Sequence, residues 1–331
     1  MTSSRRQFGK VVLGGLPAYL ALAKAPLTVE GVRIGVCTYS FRDMPRQNGD
    51  DVGPMLRELK ECNANICELF SPQLEPEDTF FAQAMREAVA PGPDGKRPPP
   101  KEIFAKMRAA RKSPEEAKYR ENLRQWRLTT PMSHFKQVRD RFDAAGVEIY
   151  AYTLNFNKNF TDAELDKCFE QAKALRVRAI ASSTQISMLP RILPLAEKHK
   201  IHVAVHGHSN TKDPDQFSSP ATFQKALNLS PWFRVNLDIG HFFAAGFDPV
   251  AYIQRHHARI THIHIKDRKK NDGPNEPFGE GDTPIAGVLR LLKQKRYPIP
   301  ALVEYEYRGT GTPVEEVNKC LAYMKRALRS A

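Results

Sequence analysis

Two segments near the middle of the chain combine side chains that can bind a metal or transfer a proton. The first covers residues 233–241 and contains Asp238; the second covers residues 260–267 and contains His264 and Lys266. Polar and apolar residues alternate in both, which is typical of a β-strand with one polar and one apolar face. Burying a polar group without a partner costs about 2–7 kcal/mol. The polar faces therefore indicate a place where side chains bind each other, water, a metal or a ligand.

Similar groups stand near the ends of other strand-like segments. Glu68, His206, His208 and Glu304 each lie in such a segment or directly after it. A single histidine or carboxylate at a strand end is usually structural. Four consecutive strand-like segments that each end in a histidine or a carboxylate are hard to explain by packing alone. The pattern predicts a metal site shared by these four segments.

Eight strand candidates alternate with eight helix candidates along the chain. The predicted strands cover residues 33–39, 65–70, 147–154, 178–183, 201–206, 233–238, 260–266 and 300–306. The predicted helices cover residues 52–62, 132–145, 162–175, 189–199, 221–227, 250–255, 285–293 and 314–328. This alternation predicts an α/β fold with a parallel sheet, and eight units match a single (β/α)8 TIM barrel of about 250 residues. An open doubly wound sheet is the alternative, although no GxGxxG turn follows an early strand.

The segment after predicted strand two, residues 71–130, is longer than a minimal strand–helix unit and is therefore an insertion. It contains a stretch rich in proline and glycine, residues 91–100, followed by a densely charged stretch, residues 101–127. The first predicts an exposed loop and the second one or two solvated helices. The insertion would lie at the rim that carries the active site in such barrels. It could cover the site or have no part in the chemistry.

One ligand from each of strands five to eight gives a complete metal site. These residues are His206, Asp238, His264 and Glu304. Two imidazoles and two carboxylates suit a transition metal better than calcium, which prefers oxygen ligands. We expect one divalent ion, manganese first, with zinc, iron, cobalt or magnesium as alternatives. Such an ion would polarise a carbonyl and stabilise the enediolate that forms when a neighbouring C–H loses its proton.

The motifs at these strand ends resemble a known family. They are residues 35–42, 238–241, 262–267, 277–285 and 303–306. Together they are similar to the xylose isomerase-like barrels of the sugar phosphate isomerase/epimerase superfamily, which includes ketose 3-epimerases, inosose dehydratases and relatives of endonuclease IV. The resemblance extends over nearly all of the chain after its N-terminal segment.

The resemblance implies roles for individual residues. Asp238, His264 and Glu304 resemble metal ligands, and His241 resembles a substrate-binding group beside the metal. Three further residues would line a sugar pocket: Tyr39, Glu68 and Lys266. Other candidates at strand ends are Phe41, Arg42 and Asn155. Phe41 could form an apolar wall for a sugar ring or belong to the ordinary core.

The chain departs from the ketose 3-epimerases at strand five. Those enzymes place a glutamate where this chain has His206, and a metal-bound imidazole is a poor proton acceptor. The candidates for proton transfer are Glu304, Lys266, His208 and Glu68. The resemblance implies a divalent-metal-dependent sugar isomerase or epimerase. A lyase or dehydratase acting on 3-keto-glycosides or inososes, a non-catalytic sugar-binding protein and an endonuclease IV-like phosphodiesterase are the alternatives.

The N-terminal segment and the composition bear on location and partners. Arg5 and Arg6 precede an apolar run and a small-x-small site at residues 23–25. Residues 1–25 therefore predict a twin-arginine signal peptide and export to the periplasm or beyond. This leaves residues 26–331 as the barrel. A basic first helix is the alternative.

The composition of the chain bears on its partners. The net charge of +13 does not by itself indicate nucleic acid. Five cysteines without a CxxC pair exclude a disulfide framework. We expect a small carbohydrate as partner, no membrane span after cleavage, and a homodimer as an option.

Overall fold

The computed structural model describes residues 28–44, 52–77 and 100–330, together with residues 83–84, 87–88 and 90. The predicted signal peptide and residues 91–99 of the predicted loop lie outside the described residues. No helix in the described part of the chain is long and apolar enough to cross a membrane.

Eight parallel strands form a closed barrel. They are β1 (Val32–Cys37), β2 (Ile66–Phe70), β3 (Glu148–Thr153), β4 (Ala179–Ser182), β5 (His202–His206), β6 (Phe233–Asp238), β7 (Ile260–Ile265) and β8 (Ala301–Val303). Each strand pairs with the next, and β8 pairs with β1 to close the ring. The short strand Thr28–Val29 pairs antiparallel with β1 outside the ring. The predicted TIM barrel and its eight strands are confirmed.

Helices surround the barrel at the predicted places. They are α1 (Val52–Glu61), α2 (Pro100–Ala110), α3 (Pro114–Thr129), α4 (Met132–Ala144), α5 (Asp162–Ala174), α6 (Leu189–His199), α7 (Pro220–Leu229), α8 (Ile239–Ala244), α9 (Pro249–His256), α10 (Ile285–Lys295) and α11 (Pro313–Arg329). Capping boxes begin several of them. In α5, for example, Thr161 and Glu164 exchange side-chain and backbone hydrogen bonds, which satisfies amide groups that have no partner within the helix.

The interior of the barrel contains an apolar layer and, nearer the carboxyl ends of the strands, a polar layer. Ile66, Ala151, Ala181 and Leu302 form a buried apolar cluster with Tyr150. Because alternate strand residues point to the same side, the polar residues two positions later in the strands lie above this cluster, toward the carboxyl ends. The polar layer therefore packs directly on the buried apolar cluster inside the barrel.

The insertion after β2 is anchored to the outside of the barrel. In α3, Arg127 lies 2.9 Å from Glu75 and 3.5 Å from Glu164 of α5, and its guanidinium covers the ring of Phe160. These charged groups are largely buried, with 11% of the Arg127 side chain and 3% of each carboxylate side chain exposed. Buried charges of this kind hold α3 against α5. A covering role for the residues between β2 and α2 remains a prediction.

The loop after β7 is organised by one carboxylate. Asp267 accepts hydrogen bonds from the backbone amides of Gly279, Gly281 and Thr283. A side chain at position 281 would collide with this carboxylate, so the close approach requires glycine. The loop also forms a small hairpin in which Asn275–Glu276 pairs antiparallel with Asp267–Arg268. This arrangement places the hairpin beside the carboxyl end of β8.

Candidate active site

Four side chains converge at the carboxyl ends of β5 to β8. His206 and Asp238 are the last residues of β5 and β6, His264 is the penultimate residue of β7, and Glu304 directly follows β8. One ligand atom from each lies within 4.8 Å of the others, and all four residues are buried. The structure thus brings together the quartet that the sequence predicted as metal ligands.

The atoms of this quartet fit a metal ion. Among the described residues, Asp238 Oδ2 and Glu304 Oε2 are buried and accept no hydrogen bond of normal geometry, although the ammonium group of Lys266 lies 3.0 Å and 2.7 Å from them. Nδ1 of His264 lies 3.2 Å from Glu304 Oε2 and 3.2 Å from Nε2 of His206. Two nitrogens and two carboxylate oxygens around one space are a donor set for a first-row divalent ion. One ammonium group does not balance two buried carboxylates, so a divalent cation would lower the cost of burying them.

The outward-facing atoms of the two histidines have partners of their own. Nε2 of His264 lies 2.7 Å from Glu68 Oε2, so its Nδ1 is the nitrogen that faces the site. Nδ1 of His206 lies 3.2 Å from Ser183 Oγ, which leaves Nε2 to face the site. Partners of this kind fix the ring orientation and the tautomer of a metal-binding histidine. Ser183 was not predicted from the sequence.

Glu68 lies beneath His264 and has little acceptor capacity left. It also accepts hydrogen bonds from Nε2 of His262 at 2.5 Å and from Oγ1 of Thr153 at 2.5 Å. Burial raises the pKa of Glu68, but His264 and His262 outweigh it and hold the pKa well below its usual range. Glu68 is therefore a carboxylate. Its position suits the orientation of His264 better than the proton transfer expected from the sequence.

Lys266 lies among three carboxylates. Its Nζ is 3.0 Å from Asp238 Oδ2, 2.7 Å from Glu304 Oε2 and 2.6 Å from Glu306 Oε2. Burial lowers the pKa of Lys266, but the three carboxylates outweigh it and hold the pKa well above its usual range. Lys266 is therefore in the ammonium form, which suits it to stabilise negative charge. A role as general base does not fit.

His241 presents a fixed tautomer to the pocket. Arg268 lies 2.7 Å from its Nδ1, and Lys266 lies 3.2 Å from its Nε2. Burial and then the Lys266 charge lower the pKa of His241 well below its usual range. A neutral imidazole accepts at one nitrogen only, and the shorter contact assigns that role to Nδ1. The proton is therefore on Nε2, which can donate to a ligand.

The pocket above the quartet has an aromatic wall and polar edges. It is lined by Cys37, Tyr39, Glu68, Phe70, Thr153, Asn155, Ala181, Ser182, Ser183, His206, His208, His241, His264, Lys266, Glu304 and Glu306. Tyr39 and Phe70 pack edge to face with ring centroids 4.9 Å apart. The ring of His208 lies 5.1 Å from that of His241. Tyr39, Asn155 and His208 thus line the pocket as the sequence predicted.

Two predicted substrate-binding residues lie elsewhere. Phe41 is buried in the hydrophobic core, because the 3-10 turn Thr38–Phe41 directs it away from the pocket. Arg42 donates to the backbone oxygen of Tyr305 at 2.9 Å, and its guanidinium covers the ring of Tyr39. Neither residue is among those that line the pocket, the core alternative for Phe41 agrees with its position, and substrate contacts of Phe41 and Arg42 stay predictions. Arg42 supports the wall residue Tyr39 instead.

Glu306 was not predicted as a site residue. It lines the pocket and contacts Lys266. The alternation of Glu304 and Glu306 on one side of the chain was the signal that could have identified it. Phe70, the last residue of β2, was also missed.

Comparison with known proteins identifies the part of the barrel that carries this quartet. The family model described as "Xylose isomerase-like TIM barrel" matches residues 183–327. This stretch is similar to that family. It contains β5 to β8 and therefore all four candidate ligands.

Curated relatives match over a shorter stretch. L-ribulose-5-phosphate 3-epimerase UlaE of Salmonella paratyphi C (strain RKS4594) is 33% identical over 102 residues, which are 31% of this chain and 36% of that protein. The same enzyme of Salmonella choleraesuis (strain SC-B67) gives the same values. The chain thus spans about a third of the length of the curated relatives that it matches.

Solved structures share the fold over most of the chain. A sugar phosphate isomerase/epimerase from Parabacteroides distasonis ATCC 8503 has a TM-score of 0.53 and 19% identity, and covers 91% of this chain and 98% of its own. The probable 3-DHS dehydratase AsbF from Bacillus anthracis has a TM-score of 0.54 and 15% identity, with coverages of 88% and 97%. The IOLI protein with a bound zinc atom has a TM-score of 0.57 and 12% identity, with coverages of 90% and 98%. At these identities the likeness shows the fold alone.

Proposed function

We propose that this chain is a divalent-metal-dependent sugar isomerase or epimerase that removes a proton next to a carbonyl. The convergence of His206, Asp238, His264 and Glu304 carries the proposal, because their buried donor atoms surround one space. The similarity to L-ribulose-5-phosphate 3-epimerase UlaE over 102 residues supports the choice of reaction.

The chemistry requires a polarised carbonyl, a base and groups that hold the substrate oxygens. A bound divalent ion would polarise the carbonyl and stabilise the enediolate. Glu304 is the candidate base. Burial raises its pKa, but His264 and Lys266 outweigh burial and lower the pKa, so the side chain is a carboxylate. Lys266 is an ammonium 2.7 Å from Glu304 and can neutralise developing negative charge. His241 can donate its Nε2 proton to a substrate oxygen.

The histidine at the end of the fifth strand, His206, favours a reaction that needs only one base to move the carbon-bound proton. Epimerisation requires proton exchange on both faces of the planar intermediate, and His206 replaces the carboxylate expected there. An isomerisation that moves the carbon-bound proton between adjacent carbons on one face needs Glu304 as its one carbon base, while the hydroxyl proton passes between the two substrate oxygens beside Lys266 and His241. The site therefore favours the isomerase outcome.

A lyase is the second candidate function. The observation in its favour is the pairing of Glu304 with the Lys266 ammonium at 2.7 Å. Such a pair supplies a base for the carbon acid and a positive charge that stabilises the departing oxygen until it takes a proton from water. A 3-keto-glycoside could then lose its aglycone by β-elimination.

Deuterium exchange from D2O tests the proposal. The Mn-loaded protein is offered free ketoses, ketose phosphates, inososes and 3-keto-glycosides, and incorporation next to the carbonyl is measured by NMR. We expect exchange on at least one class. The product decides between isomer, inverted sugar and released aglycone. No exchange on any class with metal bound would contradict the proposed chemistry.

Matched variants assign the exchange to the site. Glu304→Gln should abolish exchange, because the amide cannot accept the proton. Glu197→Gln, at an exposed position on α6, should exchange at the wild-type rate.

A further inference from the structure

We propose that the pocket takes an uncharged sugar rather than a sugar phosphate, and that Glu306 is the residue that imposes this choice. The inference rests on the proposed function and names the substrate class of the same site. It follows from the net charge of the pocket, from the hydrogen bonds that nearby guanidinium groups already make, and from the polar and aromatic groups at the rim of the pocket.

Carboxylates outnumber cations in the pocket. Glu68, Asp238, Glu304 and Glu306 line or underlie it, and Lys266 is the one lysine or arginine among its described lining residues. Lys266 already contacts three of the four carboxylates. Even a bound divalent ion would leave a net negative charge on these groups. A phosphate dianion entering this space would meet like charge.

Two arginines in the described part of the chain contact lining residues of the pocket, and both are already engaged. Arg268 is buried and donates to Nδ1 of His241, Oγ of Ser209 and the backbone oxygen of Gly273. Arg42 donates to a backbone oxygen and covers the ring of Tyr39. A phosphate is usually bound by a free guanidinium fork, a lysine or backbone amides. Neither arginine has its fork directed at the pocket.

The rim instead offers groups that suit sugar hydroxyls and C–H faces. Glu306 is partly exposed, with 21% of its side chain accessible. Its hydrogen bonds with described residues, from Lys266 and Asn275, both go to Oε2, and among these residues Oε1 is left to accept from a hydroxyl. The wall formed by Tyr39 and Phe70 provides an apolar surface for the face of a sugar ring. A neutral polyol satisfies all of these groups.

Paired substrates test the inference. The full chain, loaded with manganese, is offered L-ribulose and L-ribulose 5-phosphate, and D-fructose and D-fructose 6-phosphate, in D2O. We expect exchange on a free sugar to exceed exchange on its phosphate by at least about tenfold, because like charges at a binding site repel strongly. Equal or faster exchange on the phosphates would overturn the inference and leave the proposed enolate chemistry intact.

The Glu306→Gln variant tests the assigned residue. The amide keeps the shape and removes the charge, so the preference for the free sugar should fall by about tenfold. Glu280→Gln, an exposed neighbour in the loop after β7, should keep the wild-type preference. An unchanged preference in Glu306→Gln would overturn the role of Glu306.

A binding measurement decides the inference without turnover. The thermal stability of the Mn-loaded protein is measured without ligand and then in the presence of L-ribulose, of L-ribulose 5-phosphate and of inorganic phosphate, each in turn. We expect stabilisation by the free sugar alone. Stabilisation by either phosphate compound, or by none of the three, would overturn the inference. Absence of deuterium exchange on every sugar would instead count against the proposed function.

Discussion

At the scale of single residues, His264 connects the quartet to the polar layer beneath it. Its Nδ1 faces the quartet and its Nε2 binds Glu68, which also binds His262. A fixed ring presents its lone pair without an entropic cost at the moment of binding. Glu68 would therefore act on a bound metal ion through His264.

Glu68→Gln should weaken metal binding without removing a ligand. Loss of such an outer partner typically lowers metal affinity by about 10–100-fold. Isothermal titration with Mn²⁺ measures the change, with Glu197→Gln as the control. Wild-type affinity in the Glu68→Gln protein would contradict the orienting role.

The charge of Glu68 also predicts a pH dependence of stability. Its folded pKa lies well below the ordinary 4.5, so the unfolded state binds the proton first as the pH falls. The stabilisation is complete above pH 4.5 and is lost as the pH falls toward the folded pKa. The free energy of unfolding, measured in urea without metal, should therefore exceed that of Glu68→Gln above pH 4.5, and this excess should shrink as the pH falls below 4.5. An excess that does not shrink below pH 4.5 would contradict the assignment of Glu68 as a buried carboxylate.

At the scale of elements, the strand ends were predictable and the loops after them were not. Alternation in β6 and β7, together with the barrel topology, was enough to place Asp238 and His264 in one site. The path of the chain after β1 was not evident, because the turn that separates Tyr39 from Phe41 leaves no signal in residue type. Tyr39 faces the pocket and Phe41 faces the core. Glu306 was likewise missed, because its side chain is positioned by Lys266 and Asn275 from the loop after β7.

Docking of α3 should depend on Arg127. Arg127→Ala would leave the buried carboxylates of Glu75 and Glu164 without this cation, and loss of one partner of a buried ion pair costs about 3–5 kcal/mol. We expect a fall of that order in the free energy of unfolding measured in urea. Arg120→Ala removes a more exposed partner of Glu116 on the same helix and should cost about 0–1 kcal/mol. Equal effects of the two substitutions would contradict the docking described for α3.

At the scale of the whole molecule, one barrel carries the pocket and a predicted export signal precedes it. Residues 1–25 stay a prediction, since they lie outside the described residues. If they form a twin-arginine signal, replacing Arg5 and Arg6 with lysine should retain the protein in the cytoplasm. Cell fractionation and immunoblotting in a bacterial host measure this, with Lys24→Arg as the control. Undiminished export of the double variant would contradict the prediction.

The central claim is that β5 to β8 build one metal site, and metal binding tests it most directly. The account predicts one Mn²⁺ per chain in the wild-type protein and in Glu197→Gln, measured by calorimetry and elemental analysis. In Glu304→Gln it predicts an affinity lower by more than about 100-fold, because a ligand is lost rather than its support. Circular dichroism establishes that the variant remains folded. Full retention of the ion in folded Glu304→Gln would contradict the assignment of the site.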